Sequence, residues 1–505
     1  MIPIQDMTIV ALQEAMARGQ FSARELVLLY LSRIARIDHC EGGLNAVLEI
    51  NPDALFIADM LDAERQKGHV RGPLHGIPIM LKDTINTADK MHTSAGSLAL
   101  AGNLAPYDAH VVTRLRRAGA IPLAKTNMTE LANFMGENMP PGYSARGGQV
   151  RSPYNAECTP SGSSTGSAVA VAARLCAAAL GTENFGSIHY PAQQNGIVGL
   201  KPTMGLVSRY GNVPTTNTLD VIGPMTSCVA DAALLLGAMA GRDEHDPATW
   251  TLEEGASTDY TAALDRDGLR SARVGIDPGK WAALTGARQG AFGRLLSTLQ
   301  GAGATVMEVE DVGPIISESE IDPIFFFECK SCLNAYLATL RPIREGSSGG
   351  SETGPYPAPT CTSLQEMIDF NQRHAARALK YGQPVLLQVQ NETSGTLTEP
   401  EYLEALAARE RAIRALDALL ERHKVDVLLC TQPEIVAPIA GFPSVSIPIG
   451  SQENRIPIGA YWIARRYDEA TLLRVAYAAE GLLGVKCVPE VAREPQGAQI
   501  PAGPR

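Results

Sequence analysis

The sequence predicts an α/β layer architecture, and three observations carry that prediction. Short β-type apolar runs recur along much of the chain, helix-type stretches separate them, and no internal repeat organises either. The N-terminal part, 8–37, has helical periodicity. Ser22-Ala23-Arg24-Glu25 is a capping box, and Leu26, Leu29, Tyr30, Ile34 and Ile37 recur on one face. Strand-like runs follow at 46–50, 77–81 and 120–124, with a helix-like segment at 109–118 between the last two. Further runs occur at 196–200, 272–276, 305–309 and 426–430. The stretch from about 315 to 425 is poor in strand signals and reads as a helical cap over the core's pocket. A Gly/Ser/Pro-rich segment at 345–360 interrupts it with the composition of a flexible loop. The chain returns to the sheet at 426–490 through VDVLLC, FPSVSIPIG and IPIGAYWIA, and 491–505 reads as a disordered tail.

Composition narrows the class. With 505 residues, 45% hydrophobic and 19% charged, the chain is long enough for one large α/β core. A net charge of −11 and the lack of a long Lys/Arg cluster argue against a nucleic-acid backbone partner. No apolar run reaches the roughly 18 residues that span a bilayer, and the N-terminus lacks a signal-peptide pattern. Nine scattered cysteines do not form a secreted disulfide framework. Cys329 and Cys332 form the one C-x-x-C, on a helical stretch without a second pair or a nearby histidine, so metal or redox use is not expected. A cytoplasmic enzyme is the expectation.

Candidate chemistry concentrates in two places. Gly76-Ile77-Pro78-Ile79-Met80-Leu81-Lys82-Asp83 is an apolar run that ends on a charge. Such a lysine is ordinarily the first solvated residue after a strand. To act as a base it must be neutral, and lowering its pKa from about 10.4 to near 8 costs roughly 3 kcal/mol, which burial can supply. Ser161-Gly162-Ser163-Ser164-Thr165-Gly166-Ser167 precedes an alanine-rich helical stretch. It offers close backbone approach, hydroxyls and a helix N-terminus, although an ordinary N-cap loop has the same composition. Leu180-Gly181-Thr182-Glu183-Asn184-Phe185-Gly186-Ser187-Ile188 places a further serine after a strand, with amides that can converge on an oxyanion. Ser163 and Ser187 are separated by 24 positions (187 − 163), enough for a helix and a strand to bring them together.

Those motifs, in order and spacing, resemble the amidase signature family. The matching runs are GIPIxLKD at 76–83, AKTNMTE at 124–130, GSSTGS at 162–167, GTExxGSI at 181–188, Pro191-Ala192, GLKPT at 199–203 and Gly441-Phe442-Pro443-Ser444. The likeness extends to about residue 485 and looks closest to a peptide-amidase-like branch, through GYSARGGQVRSPYN (142–155) and DFNQRHA (369–375). It implies one domain over 1–490, with a signature core at 71–310 and a mixed central sheet flanked by helices on both faces. It also implies hydrolysis of a linear carboxamide without metal or cofactor. In that scheme Ser187 is the nucleophile and Lys82 the base. Ser163, after a cis peptide at Gly162, bridges them. The N–H groups of Asn184, Phe185, Gly186 and Ser187 line the oxyanion hole, and Gly162, Ser164 and Met128 support them, with Ser164 hydrogen-bonded to Lys82 or Ser163. The partner is a small-molecule amide; a homodimer stays open. Phe185 and His189 stand where the family usually has Gly and Arg. The resemblance therefore implies a narrowed acyl pocket and a weakened ion pair between residue 189 and Glu183.

Three competing readings remain. Gly162-x-Ser164-x-Gly166 fits a nucleophile elbow, but Pro160 spoils the strand that motif requires, and Lys82 and Ser187 are left unexplained. The same signature occurs in the ammonia-releasing component of tRNA-dependent amidotransferases. A non-catalytic binding protein is the third, motivated by Phe185.

Overall fold

The computed structural model describes residues 6–255, 258–340 and 361–493. Thirteen strands form: β1 Val47–Ile50, β2 Pro78–Lys82, β3 Ile121–Thr126, β4 Tyr143–Ser144, β5 Gly148–Gln149, β6 Ala178–Glu183 and β7 Val198–Lys201; then β8 Val221–Thr226, β9 Arg273–Ile276, β10 Thr305–Glu308, β11 Val427–Cys430, β12 Ser444–Ser451 and β13 Pro457–Ala464. β4 and β5 make a small hairpin, and the other eleven make one mixed sheet in the order β1-β3-β2-β6-β8-β7-β12-β13-β11-β9-β10. β2 runs parallel to both its neighbours, with Leu81 opposite Lys125 of β3 and Leu180 of β6. β6 to β8, β8 to β7 and β7 to β12 are antiparallel. All residues of β2, β3 and β6 are buried, which explains why the first two read as apolar runs at 77–81 and 120–124 rather than as alternating ones.

The strand runs read from the sequence fall on strands, and 109–118 holds the helix His110–Arg117. The span 8–37 is not one helix. It divides into Ile9–Ala17 and Ala23–Arg33, followed by a short π-helical turn Ile34–Asp38. The break falls where Gly19 adopts φ +66° and Ser22 opens the second helix through its capping box with Glu25. Helices Glu318–Leu337, Leu364–Arg373, Pro384–Glu392 and Pro400–His423 occupy the strand-poor region. The Gly/Ser/Pro-rich segment 345–360 lies outside the described residues. So does most of the expected tail, but its beginning is ordered: Glu490–Ala492 forms a 3₁₀ turn, Ala492 is buried, and its carbonyl accepts a hydrogen bond from Arg33 at 3.2 Å.

Cys329 and Cys332 are buried in Glu318–Leu337, and neither is in a disulfide. Among the described residues no group of His, Cys, Asp and Glu is arranged to hold a metal ion, and no helix is long and apolar enough to cross a membrane.

Candidate active site

The site forms where β2 and β6 end side by side. Lys82, the last residue of β2, is fully buried, and its Nζ lies 2.7 Å from Ser163 Oγ and donates to the Thr182 carbonyl at 3.2 Å. Burial drives the lysine pKa down to about 7, opposed by the negative charges of Asp220 and Glu183. The lysine amine thus has one carbonyl, of Thr182, and one hydroxyl, of Ser163, as its partners.

Ser163 enters through a cis peptide bond after Gly162. A Cβ at Gly162 would stand 2.4 Å from Thr129 Oγ1, so only glycine permits this approach. The Ser163 carbonyl accepts from the Thr129 amide at 3.1 Å. Ser164 is the N-cap of the helix Thr165–Ala172, yet its side chain does not cap it. Its hydroxyl donates to the Thr182 carbonyl at 3.0 Å and accepts from the Thr182 amide at 3.2 Å. Ser164 therefore supports Lys82 through a shared carbonyl, not by the direct bond to Lys82 or Ser163 that the sequence suggested. Its own amide donates to the Ser187 carbonyl at 3.2 Å, stitching the two serine loops together.

Ser187 lies in the turn between β6 and the helix His189–Asn195. Gly186 takes φ +79°, and a Cβ there would meet the Tyr190 ring at 2.2 Å. Glu183 clamps this turn, because one carboxylate oxygen accepts from the amides of Ile188 at 2.7 Å and His189 at 3.1 Å. The expected ion pair with residue 189 is absent. The His189 ring turns instead to the hydroxyls of Ser444 (2.8 Å) and Ser446 (3.1 Å), and burial drives its pKa down to about 4, so it stays neutral. The Asn184 side chain donates to Asp220 at 3.2 Å. Asp220 also accepts from the amides of Thr215 (2.9 Å) and Thr216 (3.1 Å), which fixes Asn184 against β8.

Ser163, Asn184, Phe185 and Ser187 open onto one cleft of about 560 Å³. Gly186 faces a smaller neighbouring hollow, and Met128 is buried in an apolar cluster behind the site with Leu131 and Leu333. The opposite wall comes from Glu318–Leu337 through Ile321, Phe325 and Phe326, with Phe134 alongside. Phe185 meets Phe325 edge-on, ring centroids 6.4 Å apart at 87°. Glu328, further along the same helix, is buried. It accepts from the amides of Asn217 and Thr218, each at 2.8 Å, and from the Tyr402 hydroxyl at 2.8 Å. It thereby pins the loop that carries Asp220.

Sequence reasoning missed Asp220, Thr182 as shared acceptor, Glu328 and the aromatic wall. Asp220 left a trace, a lone acid between a threonine-rich loop and an apolar run. The phenylalanines left none beyond ordinary helical periodicity.

A buried lysine set against a serine at the ends of two parallel strands of a mixed sheet is the geometry of the site, and comparison with known proteins supplies the hydrolase class and the family. The Amidase profile matches residues 25–434, and the chain belongs to the amidase family. It is 36% identical over 491 residues to a probable amidase of Arabidopsis thaliana, covering 94% of this chain and 90% of that one. The crystal structure of peptide amidase from Stenotrophomonas maltophilia superposes with a TM-score of 0.87 at 40% identity, over 96% of this chain and 99% of that one. A glutamyl-tRNA(Gln) amidotransferase component from Thermosynechococcus vestitus is 35% identical over 500 residues, 93% of this chain and 96% of that one. The expected family and its peptide-amidase-like branch are thus borne out, as is the mixed α/β sheet.

Proposed function

We propose that this amidase cleaves linear carboxamides through a serine acyl-enzyme, with Ser187 as nucleophile and Lys82 as base acting through Ser163. One observation carries the reading: a fully buried lysine, its pKa near 7, stands 2.7 Å from a hydroxyl that opens onto the same cleft as Ser187. Ser187 Oγ attacks the carbonyl carbon while its proton passes to Ser163 and the Ser163 proton passes to Lys82. The negative charge forming on the carbonyl oxygen is met by the N–H groups of the 184–187 turn. Collapse breaks the C–N bond, and the proton held by Lys82 returns along the same path to the leaving ammonia or amine. Water then repeats the sequence on the ester and frees the acid.

Fluorophosphonate labelling with peptide mapping tests this reading. Modification is expected at Ser187 and is expected to vanish in Lys82→Ala; attachment at Ser164 instead would restore the nucleophile-elbow scheme. The likeness to an amidotransferase component supports a second reading, an ammonia source for partner subunits. Turnover of simple amides by the purified chain alone decides between them. Cysteines that stand outside any disulfide, Cys329 and Cys332 among them, support a reducing, cytoplasmic setting.

A further inference from the structure

The walls of the cleft carry charge of one sign. Glu137, Glu318 and Asp322 line it, and no lysine or arginine does so among the described residues. Lys82 stands behind Ser163 rather than on the wall. Glu318 belongs to the first turn of its helix, where acids are favoured by the helix dipole. That preference does not account for the whole pattern. Glu320 in the same turn is used in the capping box with Ser317, whereas Glu318 looks into the cleft with Asp322. Partial burial and, after it, the nearby charge of Glu318 push the Asp322 carboxyl above its ordinary pKa. None of the three acids makes an ion pair among the described residues; the neighbouring carboxylates therefore face each other uncompensated.

The second property of the cleft is aromatic. Phe134, Phe185, Phe325 and Phe326 form its apolar side. A long aliphatic stem packs against such rings, and a cation at its end gains from both the ring faces and the carboxylates. An anion gains from neither and meets a concave surface that focuses negative potential.

We propose that the cleft selects amides whose acyl portion carries a positive charge on an apolar stem, such as peptide amides with a basic side chain beside the amidated residue, and rejects amides bearing a carboxylate. Glu137, Glu318 and Asp322 are the specificity-determining residues. The inference rests on the amidohydrolase reading above and assigns its substrate class. It also separates this chain from an enzyme acting on free glutamine, whose α-carboxylate would find no counter-charge on these walls.

The test uses N-acetyl dipeptide amides with lysine, its uncharged isostere norleucine, or glutamate before the amidated residue. Each exposed charge pair contributes up to about a fivefold factor, screened by salt. The expected order of kcat/KM is lysine, norleucine, glutamate, with lysine about tenfold above norleucine at low ionic strength and the gap closing in 1 M salt. In the Glu318→Gln/Asp322→Asn variant the lysine-to-norleucine ratio is expected to fall towards one. Equal rates for lysine and norleucine, or a ratio that survives both substitutions, overturns the proposal. If no amide turns over, the amidohydrolase reading fails separately. Calorimetric binding of the same amides to Ser187→Ala protein then decides the charge preference: tighter binding of the lysine amide upholds it, and equal affinity sinks it.

Discussion

Lys82 and Lys125 occupy adjacent parallel strands one register step apart, and burial treats them almost alike. Both are fully buried, with pKa values lowered to about 7 and about 8. They differ in what the amine reaches. Lys125 Nζ donates to the Ile85 carbonyl and to Thr93 Oγ1 at 2.7 Å, both inside the core. Lys82 Nζ has one carbonyl and one hydroxyl, and that hydroxyl faces the cleft. Desolvation prepares both amines to accept a proton, but of the two only Lys82 is hydrogen-bonded to a hydroxyl that lines the cleft. A lowered lysine pKa alone would have selected both residues.

The comparison is broken most directly by exchanging each lysine for methionine. Lys82→Met is expected to lower kcat/KM by about 10²–10⁴-fold. Lys125→Met takes the amine from two buried acceptors and leaves them only the 3.5 Å bond between Thr93 and Ile85, so its damage is expected in stability, about 1–3 kcal/mol by urea unfolding, with kcat/KM nearly retained. Comparable losses of activity in the two variants would erase the distinction.

The pH profile sharpens it next. Below about pH 7 the wild-type kcat/KM is expected to rise nearly tenfold per pH unit as Lys82 loses its proton, then level off. A flat rate from pH 5 to 9 would remove lysine as base. Stability should treat the lysines as equals. Both folded-state values lie below the unfolded value near 10.5, so between about pH 8 and 10 the unfolded chain binds more protons and stability rises with pH. Each lysine contributes up to about 1.4 kcal/mol per pH unit there, and either methionine variant is expected to flatten the slope equally. Unequal flattening would show that one of them is not desolvated.

The smallest expected effect concerns Phe185. Phe185→Gly removes the edge contact with Phe325 and is expected to shift relative rates across aliphatic and aryl amides by severalfold without abolishing turnover. Unchanged relative rates would show that the ring does not shape the acyl site.

The same contrast explains what could be read in advance. Lys82, Ser163 and Ser187 could be singled out because the motifs that carry them match the family in order and spacing, and the structure sets Lys82 against Ser163 and opens Ser163 and Ser187 onto one cleft. The sheet was legible where fully buried strands write unbroken apolar runs. β8 was not, because Pro224 stands inside Val221–Thr226 and proline argues against an interior strand. His189 was expected to be uncharged and is, but its partners were hidden for a different reason. Its partners, Ser444 and Ser446, lie more than 250 positions away on β12, and sequence distance conceals them. Phe325 and Phe326 needed only bulk and apolarity, which any helix facing a core displays.

Glu328 gives the molecule one further property. It sits one helical turn after Phe325, so the helix that walls the cleft also holds the loop that steadies Asn184. Changes that re-tailor this wall for a new substrate therefore pull on the machinery of turnover. Among descendants of this enzyme, new preferences and undiminished speed should seldom arise in a single mutational step.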